Sequence, residues 1–332
     1  MKNFPVHSPP AGALPRRRLA GLALAALCPH AVFSQARLRR IGYLHTATAA
    51  EGAANLEAFR AGLRDLGYVE GRDIVLELRW ADNRYDSLPA LANELTQKGV
   101  ELIVTVGSPG TRAARDARPA VPVVMGMAAD PVALGFADSL ARPGKSVTGV
   151  TSGAEITIKW LDLVRDVMPK ASRLAYLINA RVRTTVPKLM AEQAARMGLT
   201  LEVYEVVAAE ELEAAVRSMA GARREVLMLQ PDLMITRNAP RIVRAASQER
   251  IACVGSAQVA RDGGLFGYAA NPGLMFRQAA FFVDKILRGA RPGDLPIQQA
   301  REHELVVNLR TAKALGLVVP QSVLVRATEV IS

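Results

Sequence analysis

A few short segments of this 332-residue chain set hydroxyl, carboxamide or carboxylate side chains beside helix-starting residues, which is the chemistry of a seat for a small polar solute. Gly107-Ser108-Pro109-Gly110-Thr111 follows an apolar run and opens a helical stretch. The Ser108 and Thr111 hydroxyls, with the free amides of a helix start, make a seat for a carboxylate. A plain capping turn accounts for the same residues, since Ser-Pro at a helix start needs no ligand. Asp130-Pro131 and Gln230-Pro231-Asp232 also follow apolar runs. Either aspartate can hold a ligand ammonium, an opposite charge being the strongest partner in a water-poor cleft, and either can simply cap a helix. Asn179, Ser256, Tyr268 and Asn271 occupy comparable positions. Tyr268 is the ring suited to pack on a ligand, and Asn271-Pro272 reads equally as a turn and helix start. His45 lies just past the first apolar run, where open α/β sheets bind ligands; the alternative is an ordinary histidine at the solvent edge.

Enzyme signatures are missing. The chain has no G-x-G-x-x-G after a strand, no G-x-x-x-x-G-K-[ST], no G-x-S-x-G and no H-E-x-x-H. Of its histidines, His7 and His30 fall near the start, leaving His45 and His303 far apart. Metal, cofactor and triad chemistry are therefore not expected. Asp130 and Asp232 are conceivable as an acid–base pair, but spacing in the chain does not measure their separation. Cys253 sits in the apolar run Ile251 to Val254 and reads as a buried structural thiol.

The elements that must position these residues alternate almost without interruption. Strands are expected at 41–44, 75–80, 102–106, 121–125 and 147–150, separated by helices that include 111–117 and 131–140. After a bridging helix over about 156–168 the pattern restarts, with strands at 174–178, 201–207, 226–229 and 252–255 and a helix at 240–248. A helix at 274–287 and an extended segment at 304–307 close the series. Repeated β-α units imply parallel sheets covered on both faces. The fold class is α/β, two doubly wound parallel-sheet lobes joined by a multi-strand hinge, and lobes joined by several crossings form a hinged cleft.

Charge invites a different reading. Lys and Arg number 42 against 31 acids, a formal net charge of +11, which suggests nucleic acid or an anionic membrane. Residues 1–36, however, contain Lys2, Arg16, Arg17 and Arg18 and no acid, then an apolar run from Leu19 to Leu27 and small residues at Ser34 and Ala36. That is the order of a secretory signal, and its apolar core is far shorter than the roughly 20 residues of a membrane span. Arg16-Arg17-Arg18-Leu19 also resembles a twin-arginine signal, so both bacterial export routes stay open. Cys28 is not expected to carry lipid, because bulky Leu27 precedes it. Cleavage near Ala36 removes four positive charges and leaves 38 against 31, a net of +7. The remaining arginines are scattered among acids and only 5% of residues are aromatic, so nucleic acid is not an expected partner. A periplasmic, monomeric protein is.

Longer stretches carry a resemblance. Ile103-Val104-Thr105-Val106-Gly107-Ser108-Pro109, Asp130-Pro131-Val132, Ser139-Leu140-Ala141-Arg142-Pro143-Gly144, Val147-Thr148-Gly149, Gly263-Gly264-Leu265 with Gly267-Tyr268, Val283 to Ala290, Asp294-Leu295-Pro296 and Asn308 to Leu317 together resemble ABC-transporter substrate-binding proteins of the tryptophan/tyrosine-uptake type. The resemblance implies a type I periplasmic-binding fold with three crossings, closing over a small ligand and presenting it to a permease with its ATPase. It also implies a cleft formed by the loops around Leu44 to Thr46, Ser108, Asp130, Asn179, Asp232, Ser256 and Tyr268. Lobe 1 is then 37–152 plus about 272–300, and lobe 2 is 153–271 plus about 301–332. The chain departs from the pattern after Cys253, where relatives usually carry a Pro and a Tyr or Phe before the Gly-Gly and this chain has Val254 to Asp262 without a ring. That departure weakens the case for an aromatic amino acid. The expectation is an exported solute-binding protein for an amino acid or related carboxylate, with Ser108 and Thr111 on the carboxylate, Asp232 or Asp130 on the ammonium and Tyr268 on a ligand face. A ligand-sensing module or an enzyme on the same cleft are the alternatives.

Overall fold

Apolar runs rich in valine, leucine and isoleucine become the strands of two sheets. The computed structural model describes residues 38–182 and 184–332, so the leader expected over 1–36, with Cys28, lies outside the described residues. The first half contains β1 (Arg39–His45), α1 (Ala49–Asp65), β2 (Ile74–Trp80), α2 (Leu88–Gln97), β3 (Leu102–Val106), α3 (Gly107–Asp116), β4 (Val123–Met127) and β5 (Val147–Thr151). The second contains α4 (Glu155–Val167), β6 (Arg173–Asn179), α5 (Val186–Arg196), β7 (Thr200–Val206), α6 (Leu212–Gly221), β8 (Val226–Leu229), α7 (Leu233–Arg237), α8 (Ala239–Gln248), β9 (Ala252–Gly255), α9 (Ala257–Arg261) and β10 (Phe266–Ala270). The tail adds α10 (Pro272–Leu287), β11 (Gln298–Gln299), β12 (His303–Asn308), α11 (Leu309–Ala314), α12 (Gln321–Leu324) and β13 (Glu329–Ile331).

The first sheet runs β11-β5-β4-β3-β1-β2 and the second β13-β12-β10-β9-β8-β6-β7. Every pairing is parallel except β10 with β12, where Tyr268 stands opposite Leu305. Strands β3, β5, β8 and β9 are buried throughout, as parallel strands covered on both faces must be. The chain leaves the first sheet after β5, returns to it with α10 and β11, and crosses again into β12. Helix α10 packs on α1 and β4. Its approach depends on Gly62, where a Cβ would strike the Arg277 carbonyl oxygen and lie 2.9 Å from the Ala280 methyl. In the second lobe Trp160 of α4 is buried, and its Nε1 donates to the Tyr268 carbonyl at 2.7 Å. Among the described residues no helix is long and apolar enough to cross a membrane.

Two expectations change. Residues 131–140 form turns instead of a helix. Gly135 adopts φ +72°, and the chain drives Phe136 and Ala137 into the core beside β4. Helix α3 starts at Gly107 and not at Thr111, which moves Ser108 from a turn into the first helical turn.

Candidate ligand-binding cleft

Loops at the carboxyl ends of the strands of one sheet meet those of the other through polar contacts. The Tyr85 hydroxyl, after β2, donates to Asp232 Oδ2, after β8, at 2.6 Å. The Thr185 hydroxyl, after β6, donates to Asp130 Oδ2, after β4, at 2.8 Å. Arg237 of α7 pairs with Glu51 of α1 at 2.8 Å. Strand ends of open α/β sheets are where such folds place ligands.

Asp232 takes the capping role expected of it. It caps α7, with Oδ1 accepting from the Met234 and Ile235 amides at 3.0 and 3.3 Å. The same oxygen accepts from Asn179 Nδ2 at 3.1 Å, so only Oδ2, shared with Tyr85, faces across the cleft. Burial and the neighbouring Asp232 charge push the Tyr85 phenol up, which keeps it protonated and donating. Buried Asn179 organises the opposite wall: its Oδ1 accepts from the Arg181 amide at 3.0 Å, and its own amide donates to Gln230 Oε1 at 2.8 Å. Asp130 caps no helix, because none follows it. Its φ is +21°, and Oδ1 accepts from the Ala133 amide at 3.1 Å in a side-chain-closed turn.

Ser108 is buried in the first turn of α3 and lines a cavity of about 360 Å³ with Tyr85, Leu88, Asn93, Arg112 and Arg181. Among the described residues no group hydrogen-bonds its hydroxyl. Thr111 is different. Its hydroxyl donates to the Gly107 carbonyl at 3.0 Å and pairs with Thr105 Oγ1 at 2.9 Å, so it braces α3 on β3 and does not reach the cleft.

Several expected residues lie elsewhere. His45 is neither ligand-facing nor at the solvent edge: it is 4% exposed, with its ring 5.0 Å from Trp80 and 6.0 Å from Tyr43. Nδ1 accepts from the Ala47 amide at 2.9 Å, Nε2 has no partner among the described residues, and burial pushes the imidazole down to about 4. Thr46 is buried, and its carbonyl accepts from the Asn83 amide. Ser256 precedes α9 without a side-chain capping bond. Tyr268 sits within β10, its ring stacked 5.4 Å from His303, so that face is occupied inside the crossing strands. Asn271 is a turn and helix start: Oδ1 caps α10 at Leu274 and Nδ2 donates to Glu304 at 2.6 Å. Cys253 is buried, and burial pushes its thiol up.

Tyr85, Thr185, Arg112 and Arg181 also stand at the cleft, outside the set expected from sequence. Tyr85 stands at a strand end like the others, since Asp82-Asn83-Arg84-Tyr85 follows β2 after the single residue Ala81. Asp82 and Asn83 take φ of +48° and +65° there, the left-handed region that Asx residues tolerate. Thr185 and the arginines carry no local signal, since their roles exist only across the cleft.

Comparison with known proteins agrees with this architecture. The profile of the family described as ABC transporter substrate binding protein matches residues 51–331. A "Tyrosine-binding protein" of Clostridioides difficile (strain R20291) is 26% identical over 268 residues, covering 79% of this chain and 76% of the relative. An ABC domain in complex with L-Trp from Streptococcus pneumoniae superposes with a TM-score of 0.82 at 22% identity, covering 89% of this chain and all of the other. The ligand-free, open structure of a substrate binding protein with adhesive properties from Clostridium difficile gives 0.67 at 21% identity, with the same coverage of each chain.

Proposed function

This chain belongs to the ABC transporter substrate binding proteins, and we propose that it traps a small organic solute between its lobes and delivers it unaltered to the permease and ATPase subunits of an importer. The observation that carries this reading is the pairing of Tyr85 with Asp232 across the cleft, beside the cavity that Ser108 lines. Residues 37–152 with about 272–300, and 153–271 with about 301–332, are the two bodies that move in this proposal, and the three crossings between the sheets are their hinge. Closure requires contacts that the solute makes only in the closed arrangement, because equal affinity for both arrangements shifts nothing.

The solute class is an amino acid or related carboxylate. Ser108, with the free amides at the start of α3, would take a carboxylate, and Asp232 Oδ2 is the acceptor for an ammonium. The names of the relatives, tyrosine-binding and L-Trp-bound, support an aromatic body. Work in the periplasm as a monomer, after removal of the leader near Ala36 by either export route, completes the proposal.

Native mass spectrometry of the mature protein as purified tests it. The expected result is one small molecule per chain, released with unchanged mass and rebinding with a Kd near micromolar, or about −8 kcal/mol. Release of a chemically altered product after incubation with the solute would reverse the reading in favour of an enzyme.

A further inference from the structure

The cavity beside Ser108 is walled by the first lobe, with Arg181 approaching from the second, and its walls are of two kinds. Leu88, Pro109 and Ala113 supply apolar surface, whereas Arg112 of α3 and Arg181 of the loop after β6 are the basic residues on its wall, one from each side. Among the described residues neither arginine enters an ion pair. The one acid on the cavity wall, Asp116, is engaged by Arg115 at 2.7 Å. Asp232 lies behind Tyr85, with Oδ1 engaged by Asn179 and the cap of α7 and Oδ2 by Tyr85 alone. The lining therefore holds more positive charge than its own acids use.

Both arginine side chains are exposed, and each residue is tethered at one point. The Arg112 guanidinium lies 5.6 Å from the centroid of the buried Phe136 ring, which Arg115 also faces at 5.4 Å. The Arg181 backbone is held by Asn179, the same side chain that donates to Asp232. An apolar-walled space with a planar, always-charged donor from each lobe matches a carboxylate attached to a ring or branched chain.

We propose that Arg112 and Arg181 form a two-lobe clamp for the carboxylate of the transported solute, so that the preferred solute class is an aromatic or branched organic anion whose binding does not need an α-ammonium. This rests on the cleft reading above and sharpens it. A carboxylate bridging the two guanidinium groups gains its second contact only when the lobes meet, which is the differential affinity that closure demands.

Three ligands sharing one ring separate the charge classes: 3-(4-hydroxyphenyl)propanoate, L-tyrosine and tyramine, an anion, a zwitterion and a cation. Calorimetry on the mature protein is expected to show the anion binding at least as tightly as L-tyrosine, and tyramine not at all. Arg112→Ala and Arg181→Ala should each weaken the anion at least tenfold while the circular dichroism melt is retained, and Arg112→Lys should recover part of the loss. Tyramine binding as well as the anion, or anion affinity within twofold of wild type in both alanine variants, overturns the clamp and leaves the cleft reading standing. No binding of any of the three overturns the clamp together with the reading of an aromatic solute.

Discussion

The Tyr85 hydroxyl reaches Asp232 Oδ2 at 2.6 Å across a sequence separation of 147 residues, joining the loop after β2 in one lobe to the cap of α7 in the other. The acceptor is held from behind by two cap amides and by Asn179, so the bond has one geometry only when the lobes are together. In the proposed mechanism it contributes to the closed arrangement, because its two groups come from different halves of the chain.

Tyr85→Phe should therefore lower solute affinity about tenfold with little change in melting temperature. A hydrogen bond to a charged acceptor is worth about 1.5–3 kcal/mol, and water recovers part of that when the lobes part. Calorimetry beside a thermal melt checks the split. A large loss of melting temperature with unchanged affinity would mean that the bond belongs to folding and not to closure.

The two remaining cross-cleft contacts should differ in their response to salt. Arg237 and Glu51 have side chains 50% and 31% exposed, and such pairs are worth well under about 1 kcal/mol and are screened. Arg237→Ala is expected to weaken solute binding no more than about threefold at low salt and not at all near 0.5 M salt, a screening argument. Thr185→Val, which removes a neutral donor from Asp130, should give a loss independent of salt. Titrations at two ionic strengths separate them, and a salt-sensitive Thr185→Val would contradict the assignment.

Much of this architecture was legible because its signals are local. Strands β3 and β8 end where the apolar runs end, at Val106 and Leu229. The helix expected over 131–140 was lost to a long-range demand: Phe136 fills the core beside β4, and Gly135 supplies the left-handed turn that takes it there. The site was legible as a set of strand-end loops and much less as a set of side chains. Ser108 and Asp232 line the cleft, yet Thr111 spends its hydroxyl on Thr105, a pairing fixed by how α3 sits on β3. Tyr268 packs on His303 because β10 runs antiparallel to β12, a register that no local periodicity encodes. Tyr85 and Arg181 acquire their roles only through the opposite lobe.

Gly62 is where α10 rests on α1, and its missing side chain is what permits the contact. Gly62→Ala would place a methyl against the Arg277 carbonyl oxygen and 2.9 Å from Ala280. Backbone on one side cannot rotate away, so the helices must separate. Overpacking of this kind costs about 1–3 kcal/mol, and the melting temperature should fall by several degrees. Thermal unfolding by circular dichroism measures it, with Gly67→Ala unsuitable as a control because Gly67 has φ +87°. Gly221→Ala, in open space at the end of α6, is the suitable control, and equal losses in the two variants would refute the packing argument.

His45 should make stability depend on pH in a predictable sense. Its imidazole is pushed from the ordinary 6.5 down to about 4 by burial among Tyr43 and Trp80, with Glu51 opposing that shift. The unfolded chain therefore binds a proton near pH 6.5 that the folded chain refuses until about pH 4. Stability is unaffected by this group above pH 6.5, declines as the pH falls through that window, and has lost up to about 3 kcal/mol below it. His45→Phe keeps a ring of similar size but cannot titrate. At pH 7.5 the variant should be less stable by about 1 kcal/mol, because the Ala47 amide loses its acceptor, yet between pH 6.5 and 4.5 its stability should decline less steeply than that of the wild type. Urea unfolding at pH 7.5, 5.5 and 4.5 measures both differences, and parallel pH profiles for the two proteins would show that His45 is not the group responsible.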